Sequence, residues 1–387
     1  MRIFLFLFLG ISLGCNSVPI GPSSGPAFQE TRTLKKRPKN VVLMIGDGMG
    51  LTQITAGMYG NANKLNLEDF THTGLHTCHS GNSYITDSAA GATAFASGHK
   101  TYNGAIGVDM DTFPVVNILE QAETANMATG LVSTSSITHA TPAAFIAHVS
   151  SRYKMEEIAL DILNVEVDLL IGGGKKFFSQ RTMDKRNLYT ELLKKDYFVS
   201  DYSRERLSDL AIDTEQNFVY FTADNDPAKV LEGRDYLTLA SQIATRFLKE
   251  HEEAGFFLMI EAAQIDWGGH AMDPEWVISE MIDFDRAIGQ VLNFAKADGE
   301  TLVIVTADHE TGGLSINPGS RTDGIEAAFS SANHTASIIP VFAYGPGAEL
   351  FSGVYDNIHI YGKMAHALNL KEKIKIARQR AVEKEED

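Results

Sequence analysis

Five short runs of β-branched and apolar residues punctuate the chain, at 40–45, 167–171, 255–260, 301–306 and 340–343. They are apolar almost without interruption, the pattern of strands buried on both faces. Helical periodicity fills the intervals. The clearest helix opens at Asp273-Pro274, an N-cap followed by a proline in the first turn. It carries Val277, Ile278, Met281, Ile282, Ile288, Val291 and Leu292 on one face. A second helical pattern covers residues 236–251 and stops near Gly255. Strands alternating with helices predict an α/β fold with a large, mostly parallel central sheet and helices on both faces. In such sheets ligands sit beyond the carboxyl ends of the strands, so chemistry is expected just after each apolar run.

That is where the unusual residues fall. Asp47 lies in Gly46-Asp47-Gly48-Met49-Gly50 after the first run, residues 261–270 follow the third, and Asp308-His309 follow the fourth. The glycine-rich turn lacks the Lys-Ser/Thr ending of a nucleotide phosphate loop and suits a metal-binding carboxylate better. In Asp266-Trp267-Gly268-Gly269-His270 a carboxylate and an imidazole four positions apart can converge on one ion, and the paired glycines suggest a constrained loop. Asp308 and His309 can face one ion only where the strand gives way to a turn. Glu310 reads as a supporting or surface group, and His334 as a lone histidine in a polar loop.

Thr86-Asp87-Ser88-Ala89 reads as a helix start, with Asp87 the N-cap and Ser88 in the first turn, where the helix end field favours an alkoxide and an incoming phosphate. Residues 135–144, containing His139 and Thr141, are expected to lead into a helix that ends near Arg152. Taken singly, each of these features has an ordinary structural explanation, in capping or surface polarity.

Composition bounds the rest. With 44% hydrophobic and 21% charged residues the chain is an ordinary globular protein, and its net charge of −16 argues against nucleic acid or an anionic membrane surface as a partner. Residues 1–15 match an export signal: Met1-Arg2, an apolar run, then Ser12-Leu13-Gly14-Cys15, which resembles a lipoprotein processing site except for Ser12. Two outcomes are open: lipid on Cys15, or signal cleavage a little further on. Residues 16–39 read as a flexible tether, 40–387 as one domain, and 175–234 within it as a more charged peripheral elaboration.

Joint occurrence changes the weight of the single features. The segments around Asp47, Asp87-Ser88-Ala89, Lys100-Thr101-Tyr102-Asn103-Gly104, Thr138-His139-Ala140-Thr141-Pro142, Glu261 to His270, Ala307-Asp308-His309 and Asn333-His334-Thr335, in this order, resemble the alkaline phosphatase family over about residues 40–344. The resemblance is to its compact bacterial members. It implies hydrolysis of phosphate monoesters through a phosphoserine on Ser88, with Arg152 gripping the phosphate. It further implies one zinc ion on Asp266, His270 and His334, a second on Asp308, His309 and Asp47, and a magnesium on Asp47, Glu261 and Thr141. Homodimers are common in the family.

Two positions depart from the enterobacterial pattern, where an acidic residue stands in place of His139 and a lysine in place of Trp267. A histidine there can bind zinc directly, which leaves the third metal open between magnesium and zinc. Related diesterases, and a lipoprotein that only scavenges zinc or phosphate, are the competing readings.

Overall fold

A computed structural model describes residues 33–370. The leader, Cys15 and the tether as far as residue 32 lie outside the described residues. From Lys36 onward the chain is tied to the body: Lys36 Nζ donates to the Gly299 carbonyl at 2.7 Å, and Lys39 N to that of Glu300 at 2.9 Å.

The ten-stranded sheet is built from β1 (Asn40–Gly46), β2 (His72–Thr77), β3 (Ala128–Ser136), β4 (Leu169–Gly173), β5 (Phe198–Asp201), β6 (Phe218–Phe221), β7 (Phe256–Ala262), β8 (Thr301–Thr306), β13 (Ile339–Tyr344) and β14 (Gly353–Asp356). Four short strands lie outside it: β9 (Glu310–Thr311), β10 (Leu314–Ile316), β11 (Ala327–Phe329) and β12 (His334–Thr335). The order is β14-β2-β13-β8-β1-β7-β3-β4-β6-β5. All neighbours are parallel except β13, which runs antiparallel to both β2 and β8. The mostly parallel sheet expected from the sequence is therefore present, and residues 175–234 supply its β5 and β6 edge.

Strand β1 shows why its run is unbroken. Val41, Leu43 and Ile45 join one buried apolar cluster, while Val42 and Met44 join another on the opposite face. Both faces are covered, so period 2 is hidden in the sequence. The helix Pro274–Asp298 starts where expected: Asp273 caps it by accepting from Glu275 N and Trp276 N, and Gly299 ends it at φ +69°.

One expected helix is absent. Only Ala140–Ala143 is helical, with His139 as its N-cap, so Thr141 lies inside the turn and Arg152 ends no helix. The chain beyond is held by backbone bonds to a neighbouring segment, Val149 N to Ile106 O at 2.9 Å and Arg152 N to Gly104 O at 2.7 Å. Tertiary pairing outweighs the helix propensity of this alanine-rich stretch.

Candidate metal centre and active site

Strand register assembles the site. Ser133 of β3 lies opposite Glu261 of β7, Glu261 opposite Ile45 of β1, and Ile45 opposite Thr306 of β8. Where these strands end, Asp47 and Asp308 follow within two residues, beside Glu261 near the end of β7. Gly48 (φ +76°) permits the turn, because a Cβ there would stand 2.6 Å from the Asp266 Cα.

Asp266 and His270 lie one turn apart on a helix, Gln264–His270, rather than in the loop that the glycines suggested. His270 Nε2 is 3.3 Å from Asp266 Oδ2 and 3.1 Å from His334 Nε2. His334 Nε2 in turn lies 3.5 Å from Asp266 Oδ1. His309 Nε2 is 3.4 Å from Asp47 Oδ1 and 3.2 Å from Asp308 Oδ2. Two sets of converging ligand atoms result: Asp47, Asp308 and His309, and Asp266, His309 and His334. His309 thus adjoins both groups, and its ring stacks on that of His334 with centroids 3.5 Å apart.

The imidazoles are oriented from behind. His270 Nδ1 donates to the Ala332 carbonyl at 2.7 Å and His334 Nδ1 to that of Thr86 at 2.8 Å, which turns both Nε2 atoms inward. For His309 the outer partner is Thr311 Oγ1, 3.2 Å from Nδ1, and the same hydroxyl donates to Asp266 Oδ1.

Ser88 is the first residue of the buried helix Ser88–Ser97, capped by Asp87 as expected, and its Oγ lies 3.3 Å from His309 Nε2. Arg152 reaches the same end from its loop, with Nη1 3.0 Å from Asp87 Oδ2 and Nη2 3.4 Å from His139 Nε2. Trp267 meets His139 edge-on, centroids 6.0 Å apart. Glu261 Oε2 accepts from Ser133 Oγ at 2.5 Å and Ser135 Oγ at 3.1 Å, and Thr141 is fully buried beside it.

Charge is concentrated here without relief from lysine. Burial, then the charges of Asp308, Asp266 and Glu261, hold Asp47 well above the usual carboxylate range. Burial likewise pushes Glu261 and Asp308 up to about 7. Burial also acts on Asp266, but the hydrogen bond from His270 and the charges of His309 and His334 outweigh it and hold that carboxyl well below its ordinary value. Both oxygens of Asp47, Glu261 Oε1 and Asp308 Oδ2 are buried without a hydrogen-bond partner among the described residues. Orphaned oxygens of this kind are costly unless cations take their lone pairs. Carboxylates with imidazoles form a zinc-type donor set, and an all-oxygen set around Glu261 is of the magnesium type. The residues fit bound metal ions.

Several supporting residues escaped the sequence reading. Thr311 sits two positions past His309 and nothing in its spacing marks it, whereas Glu310, read from the sequence as a supporting or surface group, proves to be buried. Ser133 and Ser135 carried a usable signal: polar residues two apart at the end of a buried strand share a face.

The family model described as "Alkaline phosphatase" matches residues 38–330. Alkaline phosphatase 3 of Bacillus subtilis is 38% identical over 346 residues, covering 86% of this chain and 72% of the relative. The solved alkaline phosphatase from the Antarctic bacterium TAB5 superposes with a TM-score of 0.82 at 42% identity, covering 88% of this chain and all of that one. A variant of the TAB5 enzyme with a histidine replaced by glutamate has been solved with magnesium bound in its M3 site.

Proposed function

The chain belongs to the alkaline phosphatase family, and from that premise we propose that it hydrolyses a broad range of phosphate monoesters by in-line attack of Ser88, through a phosphoserine intermediate. Asp266, His270 and His334 would hold one zinc ion, and Asp47, Asp308 and His309 a second. Asp47, Glu261 and Thr141 would hold a magnesium ion, or a third zinc. When bound, the zinc ions supply Lewis acidity toward the attacking and departing oxygens and the positive charge that admits a phosphate dianion.

The observation that carries this reading is the place of Ser88: its Oγ is buried at a helix N-terminus, 3.3 Å from His309 Nε2. With His309 assigned to a metal ion, the Ser88 hydroxyl would have no imidazole base and would need the local field to favour its alkoxide, to which the helix end contributes. Arg152, oriented by Asp87, presents a planar fork that can grip two non-bridging phosphate oxygens. Attack by Ser88 forms the P–O bond to Oγ as the ester oxygen departs. A water arriving from the vacated side then breaks that bond, and two in-line displacements retain configuration at phosphorus.

His139, part-buried and in contact with Arg152 and Trp267, would set the character of the third metal site. The magnesium in the glutamate variant of the TAB5 enzyme supports this reading, since a carboxylate in place of an imidazole favours the harder ion. We further infer export of the protein, anchoring to the membrane through lipid if Cys15 is modified, and assembly as a homodimer.

Release of p-nitrophenol from its phosphate monoester, measured with and without a chelator, tests the core of the proposal. Ser88→Ala is expected to keep its metals while turnover falls by roughly 10⁴-fold or more. Chelation is expected to remove activity and to lower the melting temperature. Full activity in chelator, or faster release from the matching diester, would refute it.

A further inference from the structure

Glu310, immediately after His309, is 5% exposed, and four donors converge on its carboxylate. Oε1 accepts from Gln53 Nε2 at 2.5 Å and from Leu314 N at 3.3 Å. Oε2 accepts from Gly313 N at 3.2 Å and from the Thr335 hydroxyl. No lysine or arginine forms an ion pair with it among the described residues. A carboxylate offers only acceptor positions, so these donors define its contacts, and they come from three different parts of the site's wall. Gln53 is on the helix that follows the Asp47 turn, and Gly50, in that turn, packs so closely that a Cβ on it would stand 2.4 Å from Glu310 Cγ. Gly313 lies in the turn leading into β10, which Leu314 opens. Thr335 is the neighbour of His334, and β12 pairs with β9 so that His334 faces Thr311 and Thr335 faces Glu310.

The β9–β12 pairing comprises only two residues on each strand, too few to fix a register through backbone bonds alone. A slip of one position would turn His334 to the opposite face. We propose that Glu310 is a positioning residue that locks this register through Thr335, and thereby holds His334 Nε2 toward Asp266 and His270. The inference rests on the metal-centre reading above and adds to it a group that touches neither metal nor substrate.

The test uses the full chain and zinc alone, read by competition with a chromophoric chelator rather than by activity. Thr335→Val keeps the size of the side chain and removes only the hydroxyl bond. Glu310→Gln keeps the shape but turns an NH₂ toward groups that are themselves donors. Wild type is expected to bind two zinc ions tightly. Both variants are expected to weaken one of the two by roughly 10- to 100-fold, the usual effect of losing an outer-shell partner, and to leave the other near its wild-type affinity. Turnover in the variants should recover as zinc is raised to saturation. Two unchanged affinities in both variants would overturn the inference, even with a lowered melting temperature, because that result describes a residue serving stability alone. Should Glu310→Gln fail to fold, Thr335→Val decides the matter by itself. A wild-type chain that binds no zinc would instead refute the metal-centre reading.

Discussion

At the scale of single residues, His139 and Trp267 meet edge-on beside Arg152. An indole brings no charge to bound phosphate. Trp267→Lys would add an ammonium, and one hydrogen bond to the dianion worth about 1.5 kcal/mol lowers the inhibition constant for inorganic phosphate about tenfold. Steady-state inhibition measured on both proteins checks this; equal or weaker inhibition in the variant would contradict it. Candidate ligands were legible in the sequence because carboxylates and histidines are conspicuous at the ends of apolar runs. Their supports were not. The hydroxyl of Thr311 gains meaning only when β9 brings it between Asp266 and His309, and Glu310, open in the sequence between a supporting and a surface group, is settled only when Gln53 and Thr335 close over it.

Among elements, the helix Pro274–Asp298 carries the longest continuous packing face and lies against the helix Gln264–His270 that presents Asp266. Its start rests on one side chain, since Asp273 Oδ1 accepts from two of the first backbone N–H groups. Asp273→Ala is expected to cost about 1 kcal/mol, visible as a lower urea midpoint at unchanged slope. The start of this helix was readable because cap and proline agree, and the structure ends it at Gly299. Strand β3 shows the opposite case. Its sequence, ATGLVSTSS, is polar at the end yet buried at every position, because Ser133 and Ser135 serve Glu261 while the backbone pairs with β7 and β4. The expected helix before Arg152 failed for a related reason: Val149 N and Arg152 N donate to Ile106 and Gly104, a partner distant in sequence, and His148 N to the Asp161 carboxylate.

For the whole molecule, the end of the sheet opposite the site holds a second titratable cluster. His251 Nε2 lies 3.2 Å from Asp168 Oδ1, and that hydrogen bond raises the imidazole from 6.5 to about 9. Its folded value exceeds its unfolded one, so its stabilising contribution is complete below about pH 6.5 and is lost as pH climbs through about 9. Burial pushes Glu123 nearby from 4.5 up to about 8, so the folded protein keeps a proton that the unfolded chain releases, and this group too costs stability as pH rises across that interval. The metal-loaded protein is therefore expected to melt at a lower temperature near pH 10 than near pH 7, with a shallower decline in His251→Asn. Parallel slopes for the two proteins would count against it. Ligands drawn from positions as far apart as Asp47 and His334 carry one more consequence. A nascent chain on the ribosome owns no complete version of the proposed two-zinc centre until His334 is made, long after the first carboxylate. Full loading with zinc would then follow synthesis past that residue, and the supply that matters would be the one in the compartment where the polypeptide folds.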